Sequence, residues 1–199
     1  MRIGVDFDNT IVCYDGLFYR VAREQGLIPD GLPVDKGSVR DHLRATGREE
    51  LWTAMQGHVY GARMAEADAF PGVRDFFRRM LRLGHELFII SHKTRFPYLG
   101  PKHDLHAAAA DWLERQGFFD DLGLPRDRVH FELTKQDKLR RIGTAGCTHF
   151  IDDLPELLAE PAFPAGVERL LFDPAGAHAG GPFRRARSWP DLERELAAA

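Results

Sequence analysis

Asp6 and Asp8 stand one residue apart, directly after the apolar run Ile3-Gly4-Val5, and Asp152-Asp153 follow the apolar run Phe150-Ile151. Carboxylates crowded at the end of a buried segment repel one another and resist desolvation, so each pair calls for a counter-charge. A divalent cation supplies it, and a donor set made of oxygens alone favours Mg²⁺ over zinc. The competing reading is structural, because aspartates commonly cap helices that follow strands. A single acidic pair leaves the two readings level. Two pairs at two strand ends favour the metal, with Asp6, Asp8, Asp152 and Asp153 as its candidate ligands.

These residues need a scaffold that brings distant segments together. Short apolar runs at Ile3–Val5, Leu87–Ile90, Val129–Phe131, Thr148–Ile151 and Arg169–Phe172 read as strands. Between them lie helical patterns: Leu17, Phe18, Val21 and Ala22, then Val73–Leu83 ended by Gly84, Asp104–Gln116, Lys135–Ile142, and Asp191–Leu196 at the close. Residues 35–69 fit several short helices separated by Gly47 and Gly57, with no strand among them. Gly176, Gly180 and Gly181 mark a loop. Strands alternating with helices predict an α/β fold with a mainly parallel sheet, in which ligands sit beyond the carboxyl ends of the strands. Asp6/Asp8, Ser91 and Asp152/Asp153 all occupy such ends.

The chain has 199 residues, 44% hydrophobic and 29% charged, with a formal net charge of −3. That balance describes a globular chain and supplies no basic footprint for nucleic acid or anionic membrane. No apolar run reaches the roughly 20 residues a bilayer span needs. The N-terminus lacks a signal-peptide layout, so a cytoplasmic location is expected. Cys13 and Cys147 sit beside apolar residues and read as small packed side chains rather than a disulfide framework. His103 and His106 read as surface or substrate-lining residues before they read as a metal pair.

The segment Ile3-Gly4-Val5-Asp6-Phe7-Asp8-Asn9-Thr10 resembles the first motif of the haloacid dehalogenase (HAD) superfamily, an apolar strand followed by Asp-x-Asp-x-Thr. Ile89-Ile90-Ser91 is similar to its second motif, and Phe150-Ile151-Asp152-Asp153 to its fourth, in the required order. The resemblance implies a Rossmann-like three-layer core and a phosphatase. Asp6 would be the nucleophile toward phosphorus, and Asp8 the acid and base, with its backbone carbonyl on Mg²⁺. Dehalogenases of the superfamily lack that second aspartate. Thr10 would orient the phosphate-binding loop, Ser91 would bind a phosphoryl oxygen, and Asp152 or Asp153, with Asp152 favoured, would complete the metal shell.

The family's third motif is a lysine that neutralises nucleophile and phosphate. Lys102 resembles the phosphate-binding lysine of the superfamily's deoxyribonucleotidases, whereas Lys138 and Lys135 occupy the commoner position before the acidic pair. Lys102 and Lys138 lead, and Lys93 reads as a loop contact. About 80 residues separate the first two motifs. The surplus, 14–70, resembles a small helical cap of the first cap class inserted after the first strand, with 1–13 and 71–199 as the core. Phe18, Tyr19, Trp52 and Tyr60 either stack on substrate or, the favoured reading, pack the cap itself. The expected substrate is a small phosphomonoester, with a nucleotide or sugar phosphate among the candidates. The alternatives are phosphoryl transfer to another acceptor and a non-catalytic protein that binds Mg²⁺ and phosphate. Nothing in the sequence specifies the oligomeric state.

Overall fold

The computed structural model describes residues 1–178 and 181–197; Gly180 of the predicted loop and the last two alanines of the tail lie outside the described residues. Its strands are β1 (Arg2–Val5), β2 (Val12–Cys13), β3 (Asp68–Ala69), β4 (Glu86–His92), β5 (Val129–Glu132), β6 (His149–Asp152), β7 (Glu168–Phe172) and β8 (Arg184–Ala186). Its helices are α1 (Asp15–Glu24), α2 (Lys36–Ala45), α3 (Glu49–Tyr60), α4 (Val73–Arg82), α5 (Leu105–Arg115), α6 (Lys135–Thr144), α7 (Pro155–Leu158) and α8 (Trp189–Ala197). The chain divides into two compact units. One comprises Met1–Ile11, Ala69–Lys93 and Gly117–Ala199, and the other Val12–Asp68 and Thr94–Gln116. Among the described residues no helix is long and apolar enough to cross a membrane.

The first unit holds a six-stranded sheet in the order β5-β4-β1-β6-β7-β8, with every neighbouring pair parallel. This is the α/β architecture that the alternating pattern predicts. Parallel strands covered on both faces require continuous apolar runs, and Ile3, Val5, Ile89, Ile90, Phe150 and Ile151 are fully buried. Each such side chain contributes about 1.5–3 kcal/mol by leaving water. Phe88, Ile90, Phe150 and Leu171 form one cluster with Leu139 and Ile142 of α6 and Leu157 and Leu158 of α7. Phe172 is next to Leu171 and therefore points to the opposite face. It meets Trp189 of α8, which in turn packs on Phe76 and Phe77 of α4.

Gly4 lies in the middle of β1, where a glycine normally weakens a strand. Here the ring of Phe150 takes the space: a Cβ on Gly4 would stand 2.5 Å from Phe150 Cδ2 and 3.0 Å from Cys147 Sγ. Strand β8 falls where the sequence predicts only loop before the last helix. It pairs with β7 in the register Leu171↔Arg185. An edge strand keeps one side toward solvent, so the charged Arg184-Arg185 hides it from a search for apolar runs.

The second unit is helical apart from the short sheet of β2 and β3. That pairing corrects the expectation of no strand within 35–69. Asp35 caps α2 by accepting from the Ser38 amide at 2.7 Å, and Asp104 caps α5 by accepting from the amides of His106 and Ala107. Gly47, at φ +70°, follows α2 as predicted. Gly57 does not separate helices; α3 runs through it to Tyr60. Its role is close approach, since a Cβ there would lie 2.6 Å from Pro97 Cβ and 2.9 Å from the Leu99 carbonyl. Helix α5, read from sequence as part of the core, clusters with this unit, where Trp112 Nε1 donates to the Ala67 carbonyl at 2.9 Å. The rings of Phe18, Trp52 and Tyr60 pack on one another, with Phe18 4.9 Å from Trp52 and 5.6 Å from Tyr60. The packing reading describes these three, whereas Tyr19, the fourth aromatic of that reading, is half-buried.

Candidate active site

The strand order reverses beside β1. From β1 the chain proceeds outward to β4 and β5, then returns to β6 on the other flank and continues to β7 and β8. In open parallel sheets, ligands bind at such a reversal, beyond the carboxyl ends of the strands. Asp6 follows β1 and its amide still donates to the Ile151 carbonyl of β6 at 2.9 Å. Asp152 is the last residue of β6, and Ser91 lies next to the end of β4.

The turn after β1 depends on Asn9, at φ +58° the one non-glycine residue with positive φ among the described residues. Asparagine tolerates this conformation far better than branched residues. The Ile11 amide closes the turn on the Phe7 carbonyl at 3.0 Å. Thr10 is buried, and its hydroxyl donates to Asp153 Oδ1 at 3.4 Å. Thr10 thereby couples the loop after β1 to the acidic pair after β6.

Helix α6 supplies the cation. Thr134 caps it, accepting from the Asp137 amide at 3.0 Å while its hydroxyl donates to Asp137 Oδ2 at 2.7 Å. One turn later comes Lys138, only 2% exposed. Its Nζ donates to Asp6 Oδ1 and to Asp152 Oδ2, each at 2.6 Å. Burial alone would lower its pKa; Asp152 and Asp6 overcome that and hold the ammonium well above its ordinary range. For Asp152 burial pushes the carboxyl up, an effect that Lys138 opposes. The other oxygen of Asp152 accepts from the Leu154 amide at 2.9 Å.

Asp6, Asp152 and Asp153 each offer a carboxylate oxygen, and these atoms lie within 4.8 Å of one another. Ligands at about 2.1 Å around Mg²⁺ lie at most about 4.2 Å apart, so a small contraction lets all three share one ion. Oxygen-only donors suit a hard cation. The Asp8 carboxylate is not in this trio. It is instead gripped by Lys93, whose Nζ stands 2.8 Å from both Oδ1 and Oδ2. A cavity of about 250 Å³ is bounded by Asp6, Asp8, Ser91, Lys138 and Asp153, with Lys135 in its wall.

The structure thus brings together Asp6, Asp8, Thr10, Ser91, Lys138, Asp152 and Asp153 in the first unit. Lys135 lines the cavity while pairing with Glu160. Lys102 belongs to the second unit and is exposed. Lys93 corrects the sequence reading. It lies just past β4 yet is only 4% exposed, and its amide donates to the Glu132 carbonyl at 2.8 Å, extending the β4–β5 ladder. The signal was parity: on a strand Ser91 and Lys93 share a face. Cys147 is buried, and burial pushes its thiol up to about 11; Cys13 is half-buried and its thiol is also raised by burial.

No protein-family model matches this sequence, and no curated protein matches it. Solved structures do. A HAD-family hydrolase from Deinococcus radiodurans, with bound phosphate and sodium, is 18% identical with a TM-score of 0.58, covering 99% of this chain and 95% of its own. The HAD-hydrolase YfnB from Bacillus subtilis, bound to magnesium, is 13% identical with a TM-score of 0.54, covering 98% and 97%. A dehalogenase is 14% identical with a TM-score of 0.61, covering 98% and 96%. Across nearly its whole length, this chain has the Rossmann-like α/β fold of the HAD-superfamily hydrolases.

Proposed function

We propose that this chain is a Mg²⁺-dependent phosphohydrolase that cleaves a small phosphomonoester through a phosphorylated Asp6. The observation that carries the reading is the position of Asp6 at the strand reversal, paired with the buried Lys138 and grouped with Asp152 and Asp153. The phosphate in the Deinococcus structure and the magnesium in the Bacillus structure support the same chemistry on this fold. A dehalogenase is also among the similar structures. Asp8 argues against that activity here, since halide departure has no use for the second aspartate. On this reading the first unit is the hydrolase core, the helical second unit is the cap, and the substrate is a nucleotide or sugar phosphate.

Asp6, Asp152 and Asp153, together with the Asp8 carbonyl, would hold Mg²⁺, which when bound offsets negative charge on the transferring phosphoryl group. An oxygen of Asp6 forms a bond to phosphorus as the bond from phosphorus to the leaving oxygen breaks. Asp8 delivers its proton to that oxygen. It then takes a proton from the water that attacks phosphorus, which frees Asp6 and releases inorganic phosphate. Lys138 holds Asp6 in place, and the Ser91 hydroxyl donates to a phosphoryl oxygen. The test is hydrolysis of an aryl phosphate with and without Mg²⁺, by wild type and Asp6→Asn. Turnover should require the metal and fall to background in the variant. Equal rates for the two proteins would remove Asp6 from the mechanism.

A further inference from the structure

Lys93 has no place in the chemistry described so far, yet it is the second buried ammonium of the site. Its Nζ is equidistant, at 2.8 Å, from the two oxygens of Asp8. The same ammonium lies 5.5 Å from the centre of the Phe7 ring, a favourable cation–π separation. Asp8 lies just past β1, immediately before the turn at Asn9-Thr10, and the orientation of its carboxylate is set by two side-chain torsions. Lys93 is carried by the end of β4, whose ladder fixes its backbone. A single hydrogen bond would leave the carboxylate free to swing about the donor. Two equal contacts fix both its position and its plane.

We propose that Lys93 is a positioning residue that fixes the Asp8 carboxyl group in the orientation from which it transfers a proton to the leaving oxygen. The proposal rests on the phosphohydrolase reading above and adds to it a residue acting only through Asp8. It makes a demand that a merely structural lysine does not. The benefit of a well-aimed acid depends on how much the leaving group needs a proton. An alkoxide leaving group needs it badly; a nitrophenolate hardly at all. In kcat/KM, which reports the step that expels the leaving group and not the later hydrolysis, loss of Lys93 therefore falls mainly on one substrate class.

The experiment compares kcat/KM for an alkyl phosphate and for p-nitrophenyl phosphate, with saturating Mg²⁺, in wild type, Lys93→Met, Lys93→Arg, Asp8→Asn and the Asp8→Asn/Lys93→Met double variant. Positioned acids commonly contribute about 10²–10⁴-fold. The Lys93→Met loss should be larger on the alkyl phosphate by about tenfold or more, with the drop in kcat rather than in KM. Lys93→Arg, which keeps a charged donor, should recover most of it. In the Asp8→Asn background, Lys93→Met should cost nothing further on either substrate, and this double variant retains no buried lone charge that would compromise folding. Equal losses on both substrates, or additive losses in the double variant, overturn the assignment of Lys93 while leaving the phosphohydrolase reading intact. Wild type inactive on both phosphates overturns that reading and the assignment with it.

Discussion

The Nζ of Lys138 lies 2.6 Å from Oδ1 of Asp6, a contact made across 132 residues of sequence and buried on both sides. Removing one partner of a buried ion pair strands the other, at a cost of about 3–5 kcal/mol. Lys138→Met leaves Asp6 facing Asp152 with no ammonium between them. The variant should lose about 3–5 kcal/mol of stability in urea melts without metal, and Mg²⁺ should restore part of that by replacing the missing charge. A loss below about 1 kcal/mol, the level of an exposed pair, would mean the contact is not a structural one.

Mg²⁺ should stabilise the wild-type protein, because the unfolded chain cannot assemble Asp6, Asp152 and Asp153 around one ion. At a free concentration of about 100 times Kd the gain is about 2.7 kcal/mol. Asp153→Asn replaces a charged donor with a weaker one and should raise Kd in a calorimetric titration while leaving the metal-free melting temperature near wild type. If wild type melts at the same temperature with and without Mg²⁺, the three carboxylates do not form a metal site.

Gly4→Val forces a side chain into the ring of Phe150, which a Cβ alone would approach to 2.5 Å. Overpacking of this kind costs about 1–3 kcal/mol. Denaturant melts should show that loss, and Phe150→Leu in the same chain should relieve part of it. Wild-type stability in Gly4→Val would show that the strand shifts freely, contrary to its pairing with both β4 and β6.

Two partly buried imidazoles make the fold sensitive to acid. Burial holds the imidazoles of His130 and His149 below their ordinary value of 6.5; Arg141 adds to the effect at His130, and Glu168 opposes it at His149. The unfolded chain therefore binds protons at these sites more readily than the native one. Their contribution is fully present above about pH 6.5 and is lost as the pH falls through the depressed native values. Between about pH 7 and pH 5 wild type should lose more melting temperature, relative to its value at pH 7, than a variant with Gln at both positions. An identical pH dependence in the two proteins would contradict the burial of these rings.

The apolar runs at Ile3–Val5, Leu87–Ile90 and Phe150–Ile151 were readable as strands because burial on both faces leaves a local imprint on composition. Their polar ends followed directly, so Asp6, Ser91 and Asp152 could be named before any geometry. What composition could not convey was partnership. Lys102, Lys135 and Lys138 are equally basic as letters, and only the register of β1 beside β6 and the packing of α6 bring one of them to Asp6. Lys93 was misread for the same reason: its partner Asp8 lies 85 residues away. Gly57 looked like a break because glycine has two uses, and the close approach of Pro97 that selects between them is a long-range fact.

Strand β1 precedes both of its neighbours in the chain and yet is an interior strand, flanked by β4 on one side and β6 on the other. During synthesis it leaves the ribosome with both edges unpaired, and its neighbours arrive only with residues 86–92 and then 149–152. For most of that interval Ile3 and Val5 have no native cover, and the nascent chain carries a sticky segment tethered to the charged Asp6 and Asp8. Charges beside such a segment commonly oppose its association with other copies, and Asp6 and Asp8 follow this one directly.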